Sequence, residues 1–296
     1  DDCIVVTNTS SIPIKELAGF YKKPEKVLGM HFFAPVHLMP LVELVTHDKT
    51  GKDTVNKALA LIGKLEKVPV SVKDSPGFVV NRLLNVYIIE AIRMAGSGIP
   101  INWIEETAKN FGMPLGPFEL LDELGWILAI SVSGLLAENF GERLAVPDNA
   151  NLAEAHSLNG KSTNLGAYIW DDNGNKQGFN PDFPEKYVNG KLTEEKPGQS
   201  DIDHIEKVLF FNMIDEAARC LEEKVVKKAR DIDLALITGA GFPAFRGGLL
   251  RYADKSGIED VIRSLKGINS NYKSGRDISN LLLEMDNIGR KFYSLN

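Results

Sequence analysis

Cysteine is scarce in this chain: Cys3 and Cys220 stand far apart among 296 residues. Two distant cysteines exclude a disulfide framework, and free thiols in a reducing compartment are the simplest account. No apolar run approaches the roughly 18 residues of a membrane-spanning candidate. Positive charge is not in excess either, since 34 Lys and Arg face 40 Asp and Glu for a net charge of -6. That balance argues against nucleic acid or a membrane surface as the main partner. A basic, apolar, small-residue leader is also missing, so nothing points to secretion and a cytoplasmic location is expected. What is left, 44% hydrophobic and 25% charged, suits a globular protein with ample core material.

The length allows two or three domains. Residue 1 is Asp rather than Met, and the apolar run Cys3-Ile4-Val5-Val6-Thr7 starts without a lead-in. The expectation is a piece excised from a longer chain. Strands are predicted over 3–7, 27–33, 41–45 and 68–72, with helices over 13–20 and 54–65 between them. Strands alternating with helices imply an α/β layer with a partly parallel sheet. After Asp74-Ser75-Pro76-Gly77 the pattern turns helical, with a largely apolar run at 78–95 and helices at 101–111, 118–124 and 203–224. A polar, loop-rich stretch lies between, in which Tyr168-Ile169-Trp170 before Asn173-Gly174 predicts a hairpin. The domain reading is 1–73, an α/β part; 74–170, a first helical domain; 171–202, a connector; and 203–296, a second helical domain.

The two helical stretches resemble one another. Phe111-Gly112-Met113-Pro114 and Leu120-Leu121-Asp122 are matched by Ala240-Gly241-Phe242-Pro243, Leu249-Leu250 and Asp254, each set following a helix that contains Ile104 or Ile232. Such a repeat predicts two similar helical units.

Two apolar runs carry the chemistry. Gly29-Met30-His31-Phe32-Phe33 holds one histidine, and Leu41-Val42-Glu43-Leu44-Val45 holds one glutamate twelve positions later. On neighbouring buried strands each would lose solvation unless it met a partner. Together they make a base and its orienting carboxylate, although a satisfied core histidine explains the pattern equally well. Three other patterns are decoys. Gly239-Ala240-Gly241-Phe242-Pro243-Ala244 fits a dinucleotide fingerprint but lacks its strand–helix setting. Gly160-Lys161-Ser162-Thr163 ends like a phosphate loop without the earlier glycine, and Asp171-Asp172-Asn173-Gly174-Asn175 lacks a calcium loop's glycine and final glutamate. His31, His37 and His47 have no metal-ligand spacing, so no metal is expected.

Five blocks, in this order and spacing, resemble the 3-hydroxyacyl-CoA dehydrogenases. They are Asn8-Thr9-Ser10-Ser11, His31-Phe32-Phe33-Ala34-Pro35-Val36, Leu41-Val42-Glu43, Lys73-Asp74-Ser75-Pro76-Gly77-Phe78-Val79-Val80-Asn81-Arg82 and Gly116-Pro117-Phe118-Glu119-Leu120-Leu121-Asp122. The second repeat looks like the duplicated C-terminal domain of multifunctional fatty-acid β-oxidation α subunits. The resemblance implies a truncated Rossmann-like layer followed by two related helical domains, NAD as cofactor, and oxidation of (3S)-3-hydroxyacyl-CoA to 3-oxoacyl-CoA.

By the same resemblance His31 would be the general base and Glu43 would orient its ring. Ser10, Asn81 and Tyr252 would reach substrate, while Asn8, Ser10 and the position of Ala34 would face the cofactor. Taken without the family, Ser10 reads as a helix cap and Tyr252 as a core or interface tyrosine. Asn81 needs a polar partner in its apolar run, and Asn85 is one turn on. Ala34 departs from the family, which has asparagine there, and removes a hydrogen bond of roughly 1 kcal/mol. The family's glycine-rich phosphate turn precedes the segment like residues 8–11, so the chain as it stands is expected to bind NAD weakly or not at all. Implied partners are an acyl-CoA substrate, a thiolase β subunit and a second copy of the chain. The rival reading is a catalytically silent module for dimerisation or thiolase-subunit assembly.

Overall fold

The computed structural model describes residues 3–10, 12–150, 158–272 and 276–294. In chain order the α/β part runs β1 (Val5–Thr7), α1 (Ile14–Gly19), β2 (Val27–Phe32), β3 (Leu41–Thr46), α2 (Lys52–Lys64) and β4 (Val68–Lys73). Helices α3 (Val80–Gly96), α4 (Ile101–Phe111), α5 (Pro117–Leu124) and α6 (Trp126–Phe140) follow. A small hairpin, β5 (Tyr168–Trp170) and β6 (Lys176–Phe179), precedes α7 (Phe183–Val188) and α8 (Gln199–Glu222). The chain closes with α9 (Ala229–Ala240), α10 (Leu249–Ser256), α11 (Ile258–Tyr272) and α12 (Asn280–Asn287).

The four-stranded sheet has the order β1-β2-β3-β4, with parallel pairs at either side and an antiparallel β2–β3 pair between. A strand's side chains alternate between faces, and here the two faces do different jobs. Leu28 and Met30 of β2 with Val42 and Leu44 of β3 pack on Ala58 and Ile62 of α2. The intervening residues, His31 and Glu43, therefore share the opposite face. Gly29 faces Val45 across the same pair, and a Cβ there would sit 3.0 Å from both Ile14 Cδ1 and Val45 Cβ. Glycine is what lets α1 lie against the strand.

Contact density groups the chain into two discontinuous units. The first joins the sheet region, up to Leu83, to Glu216–Ile258 and Ser279–Asn296; the second is Leu84–Asp215 with Glu259–Ile278. These units cut across the consecutive segments read from sequence, because the end of the chain returns to the sheet region. Within the first unit α9 packs on β3 and β4, and Gly239 abuts Leu41 so closely that a Cβ would overlap it. Gly239 thus sits inside a helix, not in a strand–turn–helix phosphate loop, and Gly241 is that helix's left-handed cap.

The internal repeat holds in geometry, with one correction of register. Asp122 accepts the amides of Ala167 (2.9 Å) and Tyr168 (2.9 Å), and Asp254 accepts those of Phe292 (2.7 Å) and Tyr293 (3.1 Å). Tyr168 Oη donates to Glu105 at 2.7 Å, as Tyr293 Oη does to Asp233. Phe118 and Leu250, each the second residue of its helix, donate their amides to that same carboxylate. Gly116 and Gly248 precede the two helices, and a Cβ on either would collide with it. Leu249-Leu250 therefore correspond to Pro117-Phe118, not to Leu120-Leu121, because the loop after α9 is three residues longer than that after α4.

Candidate active site

Strand pairing sets the centre of the site. His31 and Glu43 are directly opposite in the β2–β3 register, which puts neighbouring side chains within reach of one another. His31 Nδ1 lies 2.9 Å from Glu43 Oε2; the ring is 6% exposed and the carboxylate 0%. A carboxylate can only accept here, so Nδ1 carries a proton, and in the neutral ring the lone pair is on Nε2. Nε2 makes no hydrogen bond among the described residues and is not sealed from solvent.

Glu43 is itself held. Its Oε1 accepts the amides of Val79 (3.1 Å) and Val80 (3.0 Å) at the start of α3. These are unpaired donors at the positive end of a helix, which favours a buried carboxylate. The turn that presents them passes through left-handed backbone at Gly77 (φ 70°) and Phe78 (φ 47°). A phenylalanine at positive φ is strained, and such strain collects at functional sites. Phe78 is buried and, with Phe33, packs edge-on to the His31 ring at centroid distances of 5.5 and 4.6 Å. The imidazole thus has apolar walls, one carboxylate and one open nitrogen.

The other expected site residues divide. Ser10 lines a small crevice with Pro13, Asp74, Ser75 and Phe78, and Phe78 also packs on the His31 ring. It does not cap α1. Asp74 does, receiving the amides of Ile14 (3.0 Å) and Lys15 (2.8 Å). Asn81 is half-buried in the first turn of α3, beside the amides that hold Glu43. Neither Ser10 nor Asn81 has a side-chain hydrogen bond among the described residues. Asn85 does not serve Asn81; it is engaged by Ser133. Asn8 uses its carbonyl oxygen on Phe32 N at 2.9 Å, tying the end of β1 to the histidine strand. Ala34 is exposed and brings no polar side chain. Tyr252 is half-buried in α10 with the Arg246 guanidinium 5.6 Å from its ring centroid.

Sequence reasoning missed two groups. Asp74 was visible only as part of a family block, since its partners lie 59 and 60 positions away. Glu105 and Asp233 went unnoticed because single acids on charged helices look solvated; their shared place after Ile104 and Ile232 was the available signal. Burial pushes the Glu105 carboxyl up to about 7, against hydrogen bonds from Tyr168 and Phe118 that lower it. Among the described residues no three metal-ligating side chains converge, and His47 turns its Nε2 to the carbonyls of Pro24 and Val27. Asp171 closes a turn through the amides of Asn173 and Asn175.

The fold and the site define an α/β protein with a buried histidine–carboxylate pair across two antiparallel strands. Residues 1–75 match the NAD-binding domain of 3-hydroxyacyl-CoA dehydrogenases and residues 77–170 match their C-terminal domain. The chain belongs to the 3-hydroxyacyl-CoA dehydrogenase family. It is 36% identical over 294 residues to the fatty acid oxidation complex subunit alpha of Idiomarina loihiensis, covering 99% of this chain. It spans 41% of that relative's length. The dehydrogenase part of multifunctional enzyme 1 from C. elegans is similar in structure, with a TM-score of 0.66 and 25% identity over 95% of this chain and 64% of that one. A 3-hydroxybutyryl-CoA dehydrogenase from Escherichia coli shares the fold at a TM-score of 0.78 and 23% identity, over 96% of this chain and 75% of that one.

Proposed function

We propose that this chain carries the dehydrogenase chemistry of fatty-acid β-oxidation: oxidation of a (3S)-3-hydroxyacyl-CoA to its 3-oxoacyl-CoA with NAD. The observation that carries the reading is His31, with Nδ1 committed to Glu43 and Nε2 open. Nε2 takes the proton of the substrate's 3-hydroxyl, and Glu43 stabilises the imidazolium that results. NAD, when bound, supplies the hydride acceptor. Ser10 and Asn81 suit the reacting end of the site, because each has a half-buried polar side chain that needs a partner. Asn8, next to them, has an amide NH2 left for the cofactor once its carbonyl oxygen is spent on Phe32. The residues present fit the nicotinamide end. Tyr252 and a thiolase β subunit extend the reading to the longer acyl-CoA and to an α/β complex.

The test is NADH oxidation with acetoacetyl-CoA by the purified chain, at high NADH to offset weak cofactor binding. Turnover should fall by roughly 10²–10⁴ in a His31→Gln variant. A variant within threefold of its parent would overturn the assignment. Leu124, Ile127 and Leu128 leave an apolar patch exposed at the start of α6, which favours the assembly module as second reading. A folded parent chain without turnover would select that reading.

A further inference from the structure

Outside the His31 site, one cluster brings two amines to a single carboxylate. Lys109 of α4 and Lys176 of β6 both contact Glu119 of α5, one on each oxygen, with Lys176 Nζ 2.5 Å from Oε1. Both stand over the Tyr168 ring, with Nζ 5.6 and 4.7 Å from its centroid. Glu119 is 10% exposed, whereas the lysine side chains are 33% and 30% exposed. The carboxylate is therefore enclosed while both amines reach solvent. One negative charge cannot balance two ammonium groups that also touch each other.

The remaining neighbours decide which lysine yields. Glu105 lies 4.0 Å from Lys109 and adds to its charge support, although its own carboxyl, pushed up to about 7, is partly protonated near neutrality. Asp122 spends its oxygens on the amides of Ala167 and Tyr168 and the indoles of Trp126 and Trp170. Tyr168 stays a neutral phenol, since burial and Glu105 raise it far above its ordinary value. Among the described residues Lys176 has Glu119 as its one carboxylate partner. Burial and the adjacent Lys109 ammonium lower Lys176 below the ordinary lysine value against the pull of Glu119, while Glu119 and Glu105 hold Lys109 above it.

We propose that Lys176 is an acylation site, where the thioester of an acyl-CoA passes its acyl group to the side-chain amine. The reading rests on the proposed function only for the supply of donor. The neutral nitrogen attacks the thioester carbonyl carbon, a C–N bond forms as the C–S bond breaks, and CoA leaves as the thiol with the proton lost by nitrogen. The product amide is uncharged, so Glu119 is left to Lys109 alone.

Acetyl-CoA is the probe, because it has no 3-hydroxyl or 3-oxo group and reads the site independently of dehydrogenase turnover. The chain is incubated with it near neutral pH, and each lysine's occupancy is followed by peptide mass spectrometry. Lys64 and Lys266, both exposed on helices, are the comparators. Lys176 should be acetylated at least about threefold faster than either, because the Lys109 ammonium beside it favours the free amine. Lys109→Gln should bring Lys176 back to the comparators, and Glu119→Gln should speed it further. A parent chain in which Lys176 is no faster than Lys64 and Lys266 overturns the proposal, as does an unchanged rate in a folded Lys109→Gln variant. If that variant does not fold, the ratio within the parent chain decides.

Discussion

Glu43→Gln tests whether the carboxylate sets the histidine tautomer. Three donors converge on Glu43: His31 Nδ1–H at 2.9 Å on one oxygen, and the amides of Val79 and Val80 on the other. Glutamine has one oxygen. The two fixed amides of α3 claim it, so the NH2 group turns to His31 and donates to Nδ1. The proton must then move to Nε2, where it blocks the lone pair that accepts the substrate's proton. A hydrogen bond to a charged acceptor contributes about 1.5–3 kcal/mol. That biases the tautomer by roughly tenfold to a hundredfold toward Nδ1–H in the parent, and glutamine reverses the bias. Turnover should fall by about 10²–10⁴, within the usual range for a general base. The ring's ¹⁵N chemical shifts report the tautomer directly, without cofactor or substrate, and urea titration checks that the variant folds. Unchanged ¹⁵N shifts, or turnover within threefold of the parent, would refute the argument.

Two further outcomes concern stability. Arg82, with a side chain 0% exposed, bonds Glu216 and Glu223, both at 2.6 Å. Arg82→Met leaves the Glu216 carboxylate buried and should cost about 3–5 kcal/mol in urea unfolding, while a matched Arg82→Met/Glu216→Leu pair should recover most of it. Glu105 gives a pH dependence: its folded value of about 7 lies above the ordinary 4.5, so the folded state holds the extra proton. Its contribution is full below about 4.5 and is lost as pH rises through 7. The urea midpoint should therefore drop between these values, and Glu105→Gln should flatten the profile; an equal slope in the variant would show that other groups carry it.

Much of this protein is legible in its sequence wherever the determinant is local. The strands at Val27–Phe32 and Leu41–Thr46 follow from continuous apolar runs bounded by Gly and Pro. The β5–β6 hairpin follows from Asn173-Gly174, and the helix Ile101–Phe111 ends at Gly112, in left-handed backbone, where the apolar period ends. The pairing of His31 with Glu43 was also readable, because two lone polar residues in buried runs have few other partners. Tertiary structure alone decided the rest. The second oxygen of Glu43 finds α3, and Asp74 caps α1 across some sixty positions. Gly116 and Gly248 make room for carboxylates thirteen to seventeen residues from the amides those carboxylates accept. Polar groups buried on folding must be satisfied, but the donors that satisfy them are chosen by proximity in space, which spacing along the chain does not encode.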